Sequence, residues 1–242
     1  MPEIPKRLPG PYWRSECGWY EVRCGDSAKL MPVRIDAVIT DPPYGIKAGQ
    51  GNTLLAGAYL AFDDSEEYVK SICVLIVVAA MDRAKCLAMT PGIRCMFAYP
   101  QPAEIGCFFN PAGAGLGRWG FTCMHPILYY GADPHNRTKP NSLCSHAITK
   151  ENGHPCPKPR EYMDWLVDRA SLPGWTVLDP FMGSGTTGVA CVKLRRKFIS
   201  IELSKEYCKI AVDRIKREII LYGDMRHLKV GAPAIRRFTA DD

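Results

Sequence analysis

No stretch of this chain is apolar for long enough to cross a bilayer as a helix. The longest run, Ile72-Cys-Val-Leu-Ile-Val-Val-Ala-Ala-Met81, has 10 residues, half of the about 20 that a span needs. The opening Met1-Pro-Glu-Ile-Pro-Lys-Arg lacks the apolar core of a signal peptide, so the expectation is a soluble, cytoplasmic protein with no membrane partner. None of the 11 cysteines forms a C-x-x-C pair. Several, such as Cys73, Cys95 and Cys191, fall inside apolar segments, which fits free buried thiols in a reducing compartment and argues against a disulfide framework. There is no internal repeat, no low-complexity block and no strong excess of charge. The balance of 31 Lys+Arg against 25 Asp+Glu leaves +6, which permits a nucleic-acid partner without requiring one. What remains is ordinary globular usage over 242 residues, 47% apolar and 23% charged, enough for one large domain with a sizeable core.

Strands and helices alternate along the chain. Residues 1–18 read as an irregular arm, 19–24 as a strand ended by Gly25-Asp26, 27–31 as a helical turn, and 35–40 as a strand ended by Asp41-Pro-Pro-Tyr-Gly45. Residues 46–62 read as a loop. Asp64 with Glu67 is similar to a capping box. Val69, Ile72, Cys73, Ile76, Val77 and Ala80 then share one helical face, and Pro91-Gly92 ends that helix. A buried strand is expected at 93–99, a flexible loop at 100–120 and a strand at 121–130. The stretch 131–160 has no period and reads as an insertion or recognition region. Regular units resume with a helix at 160–170, a strand at 175–179, a Gly-rich turn into a helix at 183–188, a strand at 197–202 and a helix at 205–221. On that last helix Tyr207, Ile210, Ala211, Ile215 and Ile219 share a face. The pattern predicts an α/β fold with a largely parallel sheet and its site at the carboxyl ends of the strands.

Two loops carry chemistry. Val177-Leu-Asp-Pro-Phe-Met-Gly-Ser-Gly-Thr-Thr-Gly188 places Gly183-x-Gly185-x-x-Gly188 between a strand and a helix. This is the dinucleotide spacing: glycines admit a ligand close to the backbone, and the helix start offers free N–H groups. Glu202, 19 residues past Gly183, closes the next strand, where an acid can accept from both ribose hydroxyls. The loop points to a nucleoside-containing cofactor and does not choose among them, so an NAD(P)-dependent oxidoreductase stands as an alternative. The second loop, Asp41-Pro42-Pro43-Tyr44, is a stiff corner. Pro42 drives Asp41 into an extended conformation, and each proline fixes its own φ. The corner suits a planar substrate with an exocyclic NH₂, whose two hydrogens Asp41 and the Pro42 carbonyl accept while the Tyr44 ring stacks on its face. An oxidoreductase leaves this second loop unexplained.

With Asp41-Pro-Pro-Tyr44, His154-Pro-Cys-Pro-Lys-Pro159, Leu178-Asp-Pro-Phe-Met-Gly-Ser-Gly-Thr-Thr187 and Lys197-Phe-Ile-Ser-Ile-Glu202 in view, the chain resembles the S-adenosylmethionine-dependent DNA amino-methyltransferases. The corner precedes the cofactor loop, similar to the β arrangement, which covers N6-adenine and N4-cytosine enzymes. The resemblance spans roughly residues 19–222. It implies a Rossmann-like class I methyltransferase fold forming a single domain over 1–242, with loops at about 46–62, 100–120 and 131–153 as DNA-recognition regions. It implies S-adenosyl-L-methionine as cofactor, with Asp179, Phe181, Gly183 and Gly185 lining its methionine and adenosine. Thr186 and Thr187 would sit near its carboxylate, Glu202 on its ribose and Asp26 on its adenine amine, and Lys158 and Pro159 would close over the methionine end. Asp41, Pro42 and Tyr44 would handle the target base in double-stranded DNA. A leading Asp leans toward adenine N6, with cytosine N4 as the close alternative, and the setting stays open among restriction-modification, a solitary methylase and a phage protection enzyme. There is no long separate recognition domain, which leaves room for a homodimer that grips DNA with two subunits.

Three weaker signals remain. Cys123-x-His125, Cys144-x-His146 and His154-x-Cys156 have no zinc-module spacing, and no metal is expected. Arg195-Arg196-Lys197 reads as a solvated helix end, with phosphate contact as the alternative. Arg118-Trp119, beside a run of glycines, reads either as a DNA contact or as a packed turn.

Overall fold

A computed structural model of the protein describes residues 11–46, 63–111, 113, 116–117, 119–145 and 159–222. Its strands are β1 (Trp13–Arg14), β2 (Tyr20–Cys24), β3 (Ala37–Thr40), β4 (Cys86–Met89), β5 (Glu104–Phe109), β6 (Leu116–Gly117), β7 (Gly120–Phe121), β8 (Met124–Gly131), β9 (Leu143–Cys144), β10 (Thr176–Asp179) and β11 (Lys197–Glu202). Its α-helices are α1 (Ser27–Leu30), α2 (Glu66–Tyr68), α3 (Val74–Met81), α4 (Arg160–Ala170), α5 (Thr186–Lys193) and α6 (Lys205–Tyr222). A π turn, Val69–Cys73, joins α2 to α3, and Met96–Ala98 forms a 3₁₀ turn.

One nine-stranded sheet runs in the order β1-β2-β11-β10-β3-β4-β8-β5-β9. The five strands from β2 to β4 are mutually parallel, and β8 lies antiparallel between β4 and β5. The central strands are apolar at successive positions because both faces are covered. Ile39, Val177 and Phe198 pack with Tyr162, Leu166, Val189 and Ala211 on one face. Val38, Leu178 and Ile201 pack with Leu30, Val69, Cys73 and Val77 on the other. The chain leaves β10 for β11 on one side, whereas β3 leads to β4 on the other. The boundary between β10 and β3 is therefore the topological switch point, where a doubly wound sheet opens a crevice at its carboxyl ends.

Several expectations need correction. The arm before residue 19 contributes β1, which pairs antiparallel with β2. Ser65 and not Asp64 caps the first long helix, its Oγ accepting from the Tyr68 N–H at 3.1 Å. The π turn then shifts the helical phase, so Val69, Cys73, Val77 and Ala80 are buried but Ile72 is 43% exposed. In α6 Ile210 lies at the edge of the buried face, beside Ala211, Val212 and Ile215. The strand expected at 93–99 lies earlier, as β4. Pro91-Gly92 closes that strand and not the helix, which ends at Met81, and Ile93 and Phe97 are exposed. The glycines and prolines of 100–120 do not make the whole segment a loop, because β5 occupies 104–109. Gly106 serves close approach: a Cβ there would meet Asn141 O at 1.9 Å. The described part of the 131–153 region is pinned to α4 by Asp133–Arg169 and Lys139–Asp168 ion pairs. Arg196 is neither solvated nor a phosphate contact. It is 3% exposed and donates to Asp168, the Ser171 and Leu194 carbonyls and Ser171 Oγ.

Candidate functional site

Four carboxylates stand at the carboxyl ends of four neighbouring strands: Asp26 past β2, Glu202 ending β11, Asp179 ending β10 and Asp41 just past β3. At about 4.8 Å between adjacent strands, the row crosses the switch point over roughly 14 Å.

The Gly-rich turn lies against the middle of this row. Gly183 takes φ +54° and faces open space, while a Cβ on Gly188 would lie 2.5 Å from the Phe198 ring. One glycine thus makes the tight turn and another lets α5 lie close to the sheet. From α6, Arg214 Nη1 donates to Ser184 O and Ser184 Oγ, each at 2.8 Å, and to Thr186 Oγ1 at 3.3 Å. Glu202 is held by main chain: Gly183 N–H donates to Oε2 at 2.9 Å and Ser204 N–H to Oε1 at 2.8 Å. Burial nevertheless raises its carboxyl above the usual range, against the pull of those N–H groups. Each carboxylate oxygen can accept more than one donor, so these bonds leave capacity for a ligand hydroxyl.

Asp26 caps α1, accepting from Ala28 N–H at 3.0 Å. The next residue ties this turn to the cofactor loop, since Ser27 Oγ donates to Pro180 O at 2.6 Å. Gly25 N–H donates to Glu202 O at 2.9 Å. Asp179 is 2% exposed. Its Oδ1 accepts from Thr40 Oγ1 at 2.7 Å and Phe181 N–H at 3.1 Å, and its Oδ2 from Thr187 Oγ1 at 2.7 Å. Burial outweighs these donors and pushes the Asp179 carboxyl up to about 6.

The Asp41 corner is built differently. Asp41 Oδ1 accepts from Thr90 Oγ1, the residue after β4, at 2.5 Å, and from the Tyr44 hydroxyl. The backbone beneath Tyr44 is fixed by Asp64, whose Oδ1 accepts from Tyr44 N–H at 2.9 Å and Gly45 N–H at 2.7 Å. One side of the Tyr44 ring rests on Gly92, where a Cβ would lie 2.6 Å from Tyr44 Cγ. Burial, then the neighbouring Asp41 charge, pushes the Tyr44 phenol well above its ordinary range. The corner therefore presents an oriented carboxylate beside an aromatic ring that stays protonated.

The structure gathers Asp26, Asp179, Gly183, Gly185, Glu202, Asp41, Pro42 and Tyr44 along one rim. Phe181 lies half-buried against the sheet face that carries Val38, Leu178 and Ile201, and Pro159 opens α4, accepting from Met163 N–H at 3.2 Å. Thr186 and Thr187 begin α5, but the Thr187 hydroxyl is turned inward onto Asp179. Lys158, nearly all of the 46–62 loop, His146, His154 and Cys156 lie outside the described residues. Among the described residues no three His, Cys, Asp or Glu side chains converge as a metal site. Sequence reasoning missed Thr40, Asp64 and Thr90. Thr40 and Thr90 carry a weak signal, each being the first polar residue after an apolar run, Thr40 ending β3 and Thr90 following β4. Asp64 carries none, because it reads as a helix cap.

Comparison with known proteins gives the family. A family model described as DNA methylase, of the N6/N4 methyltransferase group, matches residues 125–213. The type II methyltransferase M.HpaI of Haemophilus parainfluenzae is 40% identical over 225 aligned residues, which cover 76% of this chain and 69% of that protein. The chain belongs to the N6/N4 DNA amino-methyltransferase family. Shorter matches at 44–51% identity span only 20–27% of the length of other curated methyltransferases, among them a DNA adenine methyltransferase of Escherichia coli. Two solved structures have a TM-score of 0.59. One is M1.HpyAVI in complex with S-adenosylmethionine, 21% identical and covering 81% of this chain and 98% of that one. The other is the cytosine-N4-specific PvuII DNA methyltransferase, 19% identical and covering 88% and 93%. They establish the Rossmann-like class I methyltransferase fold. The N6/N4 family takes its methyl group from S-adenosylmethionine, and these relatives give the oxidoreductase alternative no support.

Proposed function

We propose that this chain transfers a methyl group from S-adenosylmethionine to the exocyclic N6 of adenine in double-stranded DNA. One observation carries the reading. Asp26, Glu202, Asp179 beside Gly183, and Asp41 stand in that order along the rim, at the ends of consecutive strands. In this reading Asp26 accepts from the cofactor's adenine amine and Glu202 from its ribose. Asp179, Phe181, Gly183, Gly185 and Thr186 shape the methionine end, with Lys158 and Pro159 closing over it.

The cofactor, when bound, supplies a methyl group activated by sulfonium charge. The target nitrogen is a poor nucleophile, its lone pair delocalised into the ring. Asp41 and the Pro42 carbonyl accept its two hydrogens and favour a more tetrahedral nitrogen. As the amine nitrogen takes that methyl group and S-adenosylhomocysteine departs, Asp41 would stabilise the positive charge developing on nitrogen, and the proton would then pass to solvent. Alignment of the three reacting atoms supplies much of the remaining acceleration. The base must leave the duplex at a cost of a few kcal/mol, offset by stacking on Tyr44.

DNA contact falls to the loops on this rim, within a single domain over 1–242. Leu128 of β8 pairs with Met89, the last residue of β4. β8 continues four residues beyond it, to Met124 opposite Phe109 of β5, so this ribbon overhangs the corner by about 13 Å at 3.3 Å per residue. The β6–β7 hairpin continues the overhang, with Trp119 fully exposed and Phe121 78% exposed. Its Trp119 is a DNA contact in this reading and not a packed turn.

The test supplies methyl-deuterated cofactor and unmodified duplex DNA, then analyses the nucleosides by mass spectrometry. Label in N6-methyladenine is expected. Label in N4-methylcytosine sinks the adenine assignment and leaves the family reading intact. Label in neither base overturns the proposal.

A further inference from the structure

Tyr162, in the first turn of α4, is 0% exposed. Its ring lies against Phe108, with centroids 4.6 Å apart and planes tilted by 31°. Helix α4 packs on β3 and β4, the two strands whose ends carry Asp41 and Thr90. Other tyrosines here find an acceptor: Tyr129 OH donates to Asn141 O and Tyr130 OH to Pro100 O, each at 2.9 Å. The Tyr162 hydroxyl is buried without a completed hydrogen bond. Tyr99 shares that lack, but its phenol is surrounded first by the Cys73 and Cys95 thiols. Tyr162 is instead beside Asp41 and Thr90: burial, then the Asp41 charge, pushes its phenol well above the ordinary range, with Thr90 Oγ1 pulling the other way. An orphaned buried hydroxyl is unfavourable, and its position beside a reactive group calls for an explanation.

The chemistry allows one direction only. Thr90 has a single hydroxyl proton, which it gives to Asp41 Oδ1. Toward Tyr162 it can therefore only accept, and Tyr162 has a proton to donate. We propose that Tyr162 is a positioning residue for the methyl transfer, donating to Thr90 Oγ1 so that the Thr90 proton is fixed on Asp41 Oδ1 and Oδ2 is held toward the target amine. This rests on the methyl-transfer reading above. The bond closes when the base fills the corner, since such contacts tighten in the reactive complex. Tyr162 stays protonated throughout and takes no proton from the substrate.

Tyr162→Phe removes one oxygen and keeps the ring on Phe108. The thermal midpoint should stay level or rise. Affinities for S-adenosylhomocysteine and duplex DNA should stay within about twofold, while single-turnover methyl transfer slows about five- to tenfold, as expected for one net hydrogen bond. Because the effect passes through Thr90, adding Tyr162→Phe to Thr90→Val should change the rate less than about twofold further. Parental transfer by Tyr162→Phe, or a full multiplicative loss in the Thr90→Val background, overturns the inference alone. A parent protein that methylates no DNA overturns both this inference and the reading beneath it.

Discussion

Glu202 and Asp41 stand on the same rim of the sheet, on strands separated only by β10, and they are held by opposite means. Glu202 is gripped by two main-chain N–H groups, those of Gly183 and Ser204. Asp41 is gripped by two side-chain hydroxyls, those of Thr90 and Tyr44, and Asp64 in turn fixes the backbone of Tyr44. The first arrangement survives most side-chain replacements around it, because the donors are backbone. The second depends on the identity of residues from three separate segments. One side of the switch point is thus a preformed cradle, and the other is an assembled corner whose orientation is adjustable by single substitutions.

The largest effect is expected at Asp41. Asp41→Ala should slow single-turnover methyl transfer to duplex DNA by about 10²–10³, the loss typical of one preorganised polar group. On the other side, Glu202→Ala should weaken S-adenosylhomocysteine binding by about 10- to 100-fold, as for hydrogen bonds to a charged acceptor, with calorimetry as the readout. Transfer at saturating cofactor should recover most of the parental rate.

Asp179, at the seam, makes stability depend on pH. Its carboxyl sits at about 6 in the fold, against about 3.9 in an unfolded chain. Between those values the folded chain holds a proton that the unfolded chain has lost. The associated stability is present below pH ~4 and is lost as pH rises through about 6. Asp179→Asn carries no such proton, so the parent's thermal midpoint should fall relative to the variant's between pH 4 and 7 and run level above. An unchanging difference would remove burial as the dominant influence on Asp179. The smallest effect is expected from Tyr44→Phe. Its ring keeps its place on Gly92, but Asp41 loses a donor, so single-turnover transfer should slow by about threefold. A silent Tyr44→Phe would reduce Tyr44 to stacking alone.

The two sides also differed in how far the sequence discloses them. Val177–Gly188 and Lys197–Glu202 write their structure locally: a strand, a glycine turn, a helix start and a terminal acid, with each donor to Glu202 on a tight turn at hand. Asp41-Pro-Pro-Tyr44 discloses the corner's position, because proline stiffness is a local property. It does not disclose what orients the carboxylate. Thr90 lies 49 residues away, past a strand too short to stand out from the adjoining helix and proline signals. Asp64 reads as a cap because capping and backbone anchoring use the same residue types. The Gly-rich 100–120 segment misleads in the opposite direction, since Gly106 is required by close packing against Asn141 and not by mobility.

In the proposed function labour is divided along the rim, with Asp41 serving the target base and not the cofactor. Titrating S-adenosylhomocysteine into Asp41→Ala by calorimetry tests it most directly. The affinity should stay within about twofold of the parent's, because Asp41 lies beyond the reach assigned to the cofactor. A loss of tenfold or more would mean that the corner belongs to the cofactor pocket, and would contradict the order of roles read along the four strands.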